Sequence, residues 1–146
     1  MTVEITGDEQ SAQEVLFKIK QWDHAICRMN IEEIIQLCAK DVTLFDVGSQ
    51  LEGVMAYQEM WERYRPYFHD NIRVYRREIK VYAQPNLAFL RCYSKVDKIE
   101  IEQDNQVPWC RTTLCFEKLD GKWKVVHQHI SMPVDFHTQK AVMLHF

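Results

Sequence analysis

Asp46 stands between Phe45 and Val47, with Gly48 two residues on. A carboxylate held among apolar side chains has its charged form disfavoured, so its pKa rises and it can take a proton from carbon. An aspartate before a glycine is equally a turn or cap residue. Arg91 lies inside the apolar stretch Leu87–Tyr93, where a guanidinium needs an anion or water. Three readings are open for it: an anchor for a ligand carboxylate, a partner for Asp46, or an exposed arginine at a sheet edge. His127 and His129 alternate and so share one face of a strand. Two histidines bind a metal only with a third ligand, and the sequence places none, so a structural role at a subunit interface is the other reading. Trp22, and Tyr57, Trp61 and Tyr64 at helical spacing, form either a pocket wall or plain core. No Gly-rich phosphate loop, GxSxG or HExxH is present, and neither a cofactor nor a metal is expected.

These residues need elements to position them. Ala12, Val15, Leu16, Ile19, Trp22, Ile26 and Met29 form one apolar stripe, which predicts a helix over Ser11–Met29 capped by Asp8 or Ser11. Asn30 with Glu33 predicts a capping box for a short second helix, with Ile31, Ile34, Ile35 and Cys38 on one face. A short strand is expected over Val42–Val47. A third helix should run from Gly53 to about Phe68, with Pro66 near its end. Strands are expected at Ile72–Ala83, Leu87–Ile101, Trp109–Glu117 and Trp123–Ser131. The apolar register shifts within the first of these, which implies a bulge near Arg76–Arg77. An acidic loop over Glu102–Gln106 and an Asp120-Gly121 hairpin complete the run. The order predicts an α+β fold, three N-terminal helices on a curved, mainly antiparallel sheet, in a single domain over residues 1–146 with its core at about 11–133 and a tail at 134–146.

By strict alternation Trp123 and Val125 share a face with the two histidines, opposite Ile130. With Trp109 and Cys115 they would form an apolar patch too large for a monomer, so a homodimer through the sheet face is expected. The arginines from Arg63 to Arg77, with Lys80, are interspersed with acids and read as a solvated mixed-charge surface.

Composition bounds the partners. The chain has 146 residues, 47% hydrophobic and 27% charged, with a net charge of −3. That is ordinary globular usage and the wrong sign for a protein that neutralises phosphates, so no nucleic-acid partner is expected. No hydrophobic run exceeds four residues, and no membrane span or signal core is expected. Five cysteines without CxxC spacing read as reduced thiols of a cytoplasmic protein.

The motif Asp120-Gly-Lys-Trp-Lys-Val-Val-His-Gln-His-Ile-Ser-Met-Pro133, together with Thr43-Leu-Phe-Asp46, Gly53 and the aromatic helix, resembles the SnoaL-like branch of the nuclear transport factor 2-like superfamily over about Gln13–Pro133. The motif is also similar to the end of the association (hub) domain of calmodulin-dependent protein kinases and to ketosteroid isomerase-like proteins. The resemblance implies a cone in which helices close over a concave sheet and leave an apolar pocket. Asp46 matches the isomerases' general base. Their first-helix tyrosine falls at Trp22 and their penultimate-strand acid near Thr112, so steroid isomerisation is not implied. Arg91 matches one hub pocket arginine; the other two fall at Leu114 and Ile130. The candidate site is therefore Asp46 as base, with Trp22, Tyr57, Trp61, Tyr64, Arg91, Thr112 and Gln128 toward a ligand. The expected function is a small-molecule-binding protein, as an isomerase or lyase on a small acidic or carbonyl compound, or alternatively a non-catalytic binding or oligomerisation module like the hub.

Overall fold

In a computed structural model, residues 2–68, 72–98 and 107–146 are described; the expected acidic loop and the end of the second long strand lie outside them. The first helix, α1 (Glu9–Cys27), begins where Asp8 accepts the Ser11 backbone N–H at 3.0 Å and its hydroxyl at 2.5 Å. Before it, β1 (Val3–Gly7) pairs in parallel with β4. This strand is not expected from the sequence: only Val3 and Ile5 alternate, too short a period to stand out from the polar residues around them. Gly7 permits the pairing: its φ is +99°, and a Cβ there would sit 2.1 Å from the Ala83 carbonyl oxygen.

The second helix, α2 (Ile31–Gln36), is capped by Asn30 as expected, but the Asn30 backbone N–H donates to the Ala25 carbonyl at 2.9 Å, so the return bond to Glu33 comes from the Asn30 side chain. Glu33 N–H donates to Asn30 Oδ1 at 3.1 Å, and the Asn30 amide donates back to Glu33 at 3.3 Å. Cys38 does not continue it. It opens β2 (Cys38–Phe45), which is followed by the short β3 (Gln50–Glu52) and by α3 (Val54–Tyr64), whose last turn tightens into a 3₁₀ turn at Arg65–Tyr67 around Pro66. The long strands are β4 (Ile72–Ala83), β5 (Leu87–Lys98), β6 (Cys110–Leu119) and β7 (Lys122–Ser131). Asp120 and Gly121 both have positive φ at the β6–β7 turn, as a type I′ hairpin requires. Two-residue strands β8 (Val134–Asp135) and β9 (Lys140–Ala141) form a small hairpin in the tail.

The seven strands run in the order β1-β4-β5-β6-β7-β2-β3, with β1–β4 and β2–β7 parallel and the remaining pairs antiparallel. Three helices pack on one side of this curved mixed sheet. The core between them gathers Val15, Trp22 and Ile34 with Val81, Leu90, Leu114, Phe116 and Val125. No helix among the described residues is long and apolar enough to cross a membrane. All five cysteines are free thiols.

Two bulges decide which side chains enter the core. In β4 the register slips between Arg77 and Lys80, where Glu78 has φ +56°, close to the expected place. In β7, Phe116 faces Val125 while Cys115 faces His127, so Val126 is the extra residue. That bulge overturns the expected alternation. Trp123 and Val125 are buried under the helices, and the Trp123 indole donates to Glu14 at 2.8 Å. They contribute nothing to the outer face. The same bulge turns Gln128 and Ile130 inward and leaves His127 and His129 outward.

Candidate active site

The helices leave a cavity of about 210 Å³ against the concave face. Two wider depressions of about 620 Å³ are lined mainly by charged and polar side chains; the smaller one is lined mainly by apolar side chains. Its roof is aromatic because α3 presents Tyr57, Trp61, Tyr64 and, one turn beyond, Phe68 at four-three-four spacing. Tyr57–Trp61, Trp61–Tyr64 and Tyr64–Phe68 meet edge to face with centroids 6.0–6.1 Å apart. Trp22 of α1 joins this row 6.2 Å from Tyr57. Pocket wall and core are here the same residues: Trp22, Tyr57 and Trp61 are buried and also line the cavity.

Asp46 lines the cavity at the end of β2, half-buried. It is also a turn residue. Its N–H donates to the Ser49 carbonyl at 2.9 Å, and Val47 N–H donates to its Oδ1 at 2.8 Å. The turn reading holds, and the same turn sets the carboxylate at the cavity wall with Oδ2 free of a backbone donor. Its neighbours register its charge. Burial first, and Asp46 as charge and hydrogen-bond acceptor after it, raise the Tyr64 phenol pKa. Burial first and Asp46 second raise the Cys110 thiol. Tyr57 is pushed well above the ordinary phenol value, chiefly by burial, and so stays a neutral donor.

Away from the Asp46 turn, the Tyr57 hydroxyl donates to Gln128 Oε1 at a long 3.4 Å. The Trp61 indole nitrogen is buried without an aligned acceptor among the described residues, though it lies close enough to the Tyr57 oxygen to temper that phenol's rise. An unsatisfied buried donor costs stability, and a ligand oxygen here would relieve it. Thr112 is one layer further back: its hydroxyl is 2.6 Å from that of Ser94, and Ser94, not Thr112, lines the cavity.

Arg91 is elsewhere. It is exposed, and pairs across the sheet with Lys80 and Thr113 on the outer face. Pleating sends it outward because its neighbours Leu90 and Cys92 point in. It cannot anchor a ligand in the cavity or pair with Asp46. The arginine that does border the cavity is Arg76, assigned above to a solvated surface. Its Nε and Nη2 donate to the two carboxylate oxygens of Asp23 at 2.8 and 2.7 Å, and its Nη1 lies 3.5 Å from Cys92 Sγ. Burial opposes its charge, but Asp23 more than offsets that and holds its pKa above the ordinary value. The sequence carried a signal for this pair: Asp23 is four residues after Ile19 and three before Ile26, inside the apolar stripe of α1.

Among the described residues no three His, Cys, Asp or Glu side chains converge as a metal site. His127 Nδ1 is instead 2.6 Å from the Thr43 hydroxyl, and Phe45 packs edge-on against both histidines.

The model of the SnoaL-like domain family matches residues 15–135. The chain belongs to this family. The SnoaL-like chain is also similar to an NTF2-like protein of unknown function from Pseudomonas putida KT2440, at 26% identity over 93% of this chain and 96% of that one, with a TM-score of 0.84. It is further similar to a protein from Streptomyces avermitilis assigned as a dehydratase of the NTF2-like family (15% identity, 87% and 99% covered, TM-score 0.71). A third similar structure, from Novosphingobium aromaticivorans, is assigned as an aromatic ring hydroxylase (13% identity, 86% and 92% covered, TM-score 0.69). At these identities the last two share the fold alone. No curated protein matches the sequence significantly. The superfamily and cone fold expected from the terminal motif are borne out.

Proposed function

We propose that this SnoaL-like protein binds a small, mostly apolar molecule and moves a proton on it, as an isomerase or lyase with Asp46 as the base. The observation that carries this reading is a half-buried carboxylate at the wall of an aromatic cavity that also holds the neutral donors Tyr57, Gln128 and Trp61. Asp46 Oδ2 takes a proton from a carbon next to a carbonyl, and the donors stabilise charge developing on the oxygen. The proton then returns at another carbon, or a hydroxyl leaves as water. At about 210 Å³ the cavity is only modestly larger than the ~150 Å³ that accepts benzene, which favours a single ring or short chain over a steroid. The test is deuterium uptake from solvent into small cyclic ketones, followed by NMR. Asp46→Asn should slow it by roughly 10²–10⁴-fold; uptake unchanged in that variant would remove Asp46 as base.

The outer sheet face supports a homodimer. Phe45 and Phe89 are 47% and 40% exposed there, beside His127, His129 and Cys115. Phe89→Glu should convert a dimer to monomer in size-exclusion with light scattering. A ring of many subunits would favour the hub-like alternative instead.

A further inference from the structure

A buried arginine at a ligand cavity normally announces an anionic ligand, because a guanidinium removed from water needs a negative partner. Arg76 borders the cavity and its side chain is only 6% exposed. Its partner is already in place. Asp23 approaches from behind, out of a second groove between α1, β1 and β4 that both residues line, and engages the Nε–Nη2 edge with two bonds. This is the strongest arrangement a carboxylate can make with arginine, and it uses the positions a ligand carboxylate would want.

The other charges near the cavity add no attraction for an anion. Lys95 also borders the cavity, but its ammonium is taken up elsewhere, over Trp109 and Tyr75 and 3.3 Å from both Asp97 and the Val107 carbonyl oxygen. Asp46 contributes a negative charge and has no ion-pair partner among the described residues. What remains at the cavity wall is neutral: the Tyr57 hydroxyl, which donates to Gln128 at a long 3.4 Å, the Trp61 indole and the Gln128 amide. These suit a carbonyl oxygen and carry no charge to offset a carboxylate's lost hydration.

We propose that Asp23 is a specificity-determining residue: by occupying Arg76 it makes the aromatic cavity take neutral carbonyl compounds and refuse carboxylates of the same shape. This rests on the reading of the cavity as a ligand site and names its substrate class. The determinant lies outside the cavity and acts through the guanidinium. Removing its charge leaves a buried cation bordering the cavity, which would then recruit an anion.

Acetophenone and benzoate share a ring and a carbonyl and differ mainly in charge, so they are the probes. Binding is followed by the shift of the tryptophan indole N–H signals in NMR titrations of the full chain at neutral pH. The wild type should bind acetophenone at least tenfold more tightly than benzoate. Asp23→Asn should gain at least tenfold for benzoate, and Asp23→Asn combined with Arg76→Met should lose that gain, since the guanidinium is gone. If Asp23→Asn is too unstable to titrate, refolding it in benzoate gives the same information: benzoate should restore the folded spectrum and acetophenone should not. Equal wild-type affinity for the two probes overturns the proposal and needs no variant to fold; the cavity reading would survive it. No benzoate gain in Asp23→Asn, by titration or refolding, also overturns it. If neither probe shifts the indole signals, the cavity reading and this proposal fall together.

Discussion

Arg76 and Arg77 are neighbours in β4, and pleating sends them to opposite faces of the sheet. Arg76 points in, is almost entirely buried, and is neutralised by Asp23. Arg77 points out, is exposed, and lies 4.9 Å over the Phe146 ring and 5.6 Å over Trp109. One residue type thus does two jobs. Arg76 is answered by a charge, because burial takes its guanidinium out of water. Arg77 is open to water, which does most of the answering, and its guanidinium is left to stack on the tail. Phe146 also contacts Tyr93, 4.8 Å between centroids, and Trp109 N–H donates to the Leu144 carbonyl at 2.9 Å, so the tail is fastened to the face the cavity does not use.

The contrast breaks most visibly in stability. Asp23→Ala strands a buried guanidinium and should cost about 3–5 kcal/mol, toward the lower end because the Asp23 side chain keeps 21% exposure. Replacing both partners, Asp23→Leu with Arg76→Met, should be far milder than Asp23→Ala alone, since it leaves no orphan charge. Arg77→Met on the other face should cost about 0.5–1 kcal/mol, the range of an exposed cation–π contact. Urea melts of the four proteins check the order. Equal losses at Arg77→Met and Asp23→Ala would mean that the two faces are not electrostatically distinct.

Part of this was legible in the sequence and part was not, for physical reasons. Asp120-Gly121, the Asn30–Glu33 cap and the aromatic spacing of α3 are local: backbone conformation or helical period alone reveals them. Asp46 could be placed because a turn follows it directly. Arg91 was misplaced because hydrophobic neighbours on a strand say nothing of the pleat: in β5, Leu90 and Cys92 point inward and Arg91 between them does not. Val126 escaped notice because a β-branched residue in an apolar run looks like any other strand position, yet as a bulge it moves Val125 into the core and Gln128 into the cavity. β1 needs β4 to exist, and two alternating residues, Val3 and Ile5, do not announce a partner more than seventy residues away.

A smaller version of the same contrast lies along α1, where Asp23 serves a buried cation and Asp8 serves only the helix start. The Ser11 hydroxyl, then its backbone N–H, hold the Asp8 carboxyl below its usual value of 3.8. A group whose folded pKa is depressed adds stability that is fully present above its unfolded pKa and disappears as pH falls through the folded one. Wild type should therefore exceed Asp8→Ala in stability near neutral pH, and the gap should close on acidification below about pH 4. Asp8→Asn keeps an acceptor for the Ser11 N–H, so its gap from wild type at neutral pH should be the smaller one. Urea melts of the three proteins near neutrality and at about pH 2 read both effects. The decisive outcome is the Asp8→Ala gap: if it is as wide in acid as at neutrality, the charge of Asp8 contributes nothing to the cap, and what the substitution removed was shape.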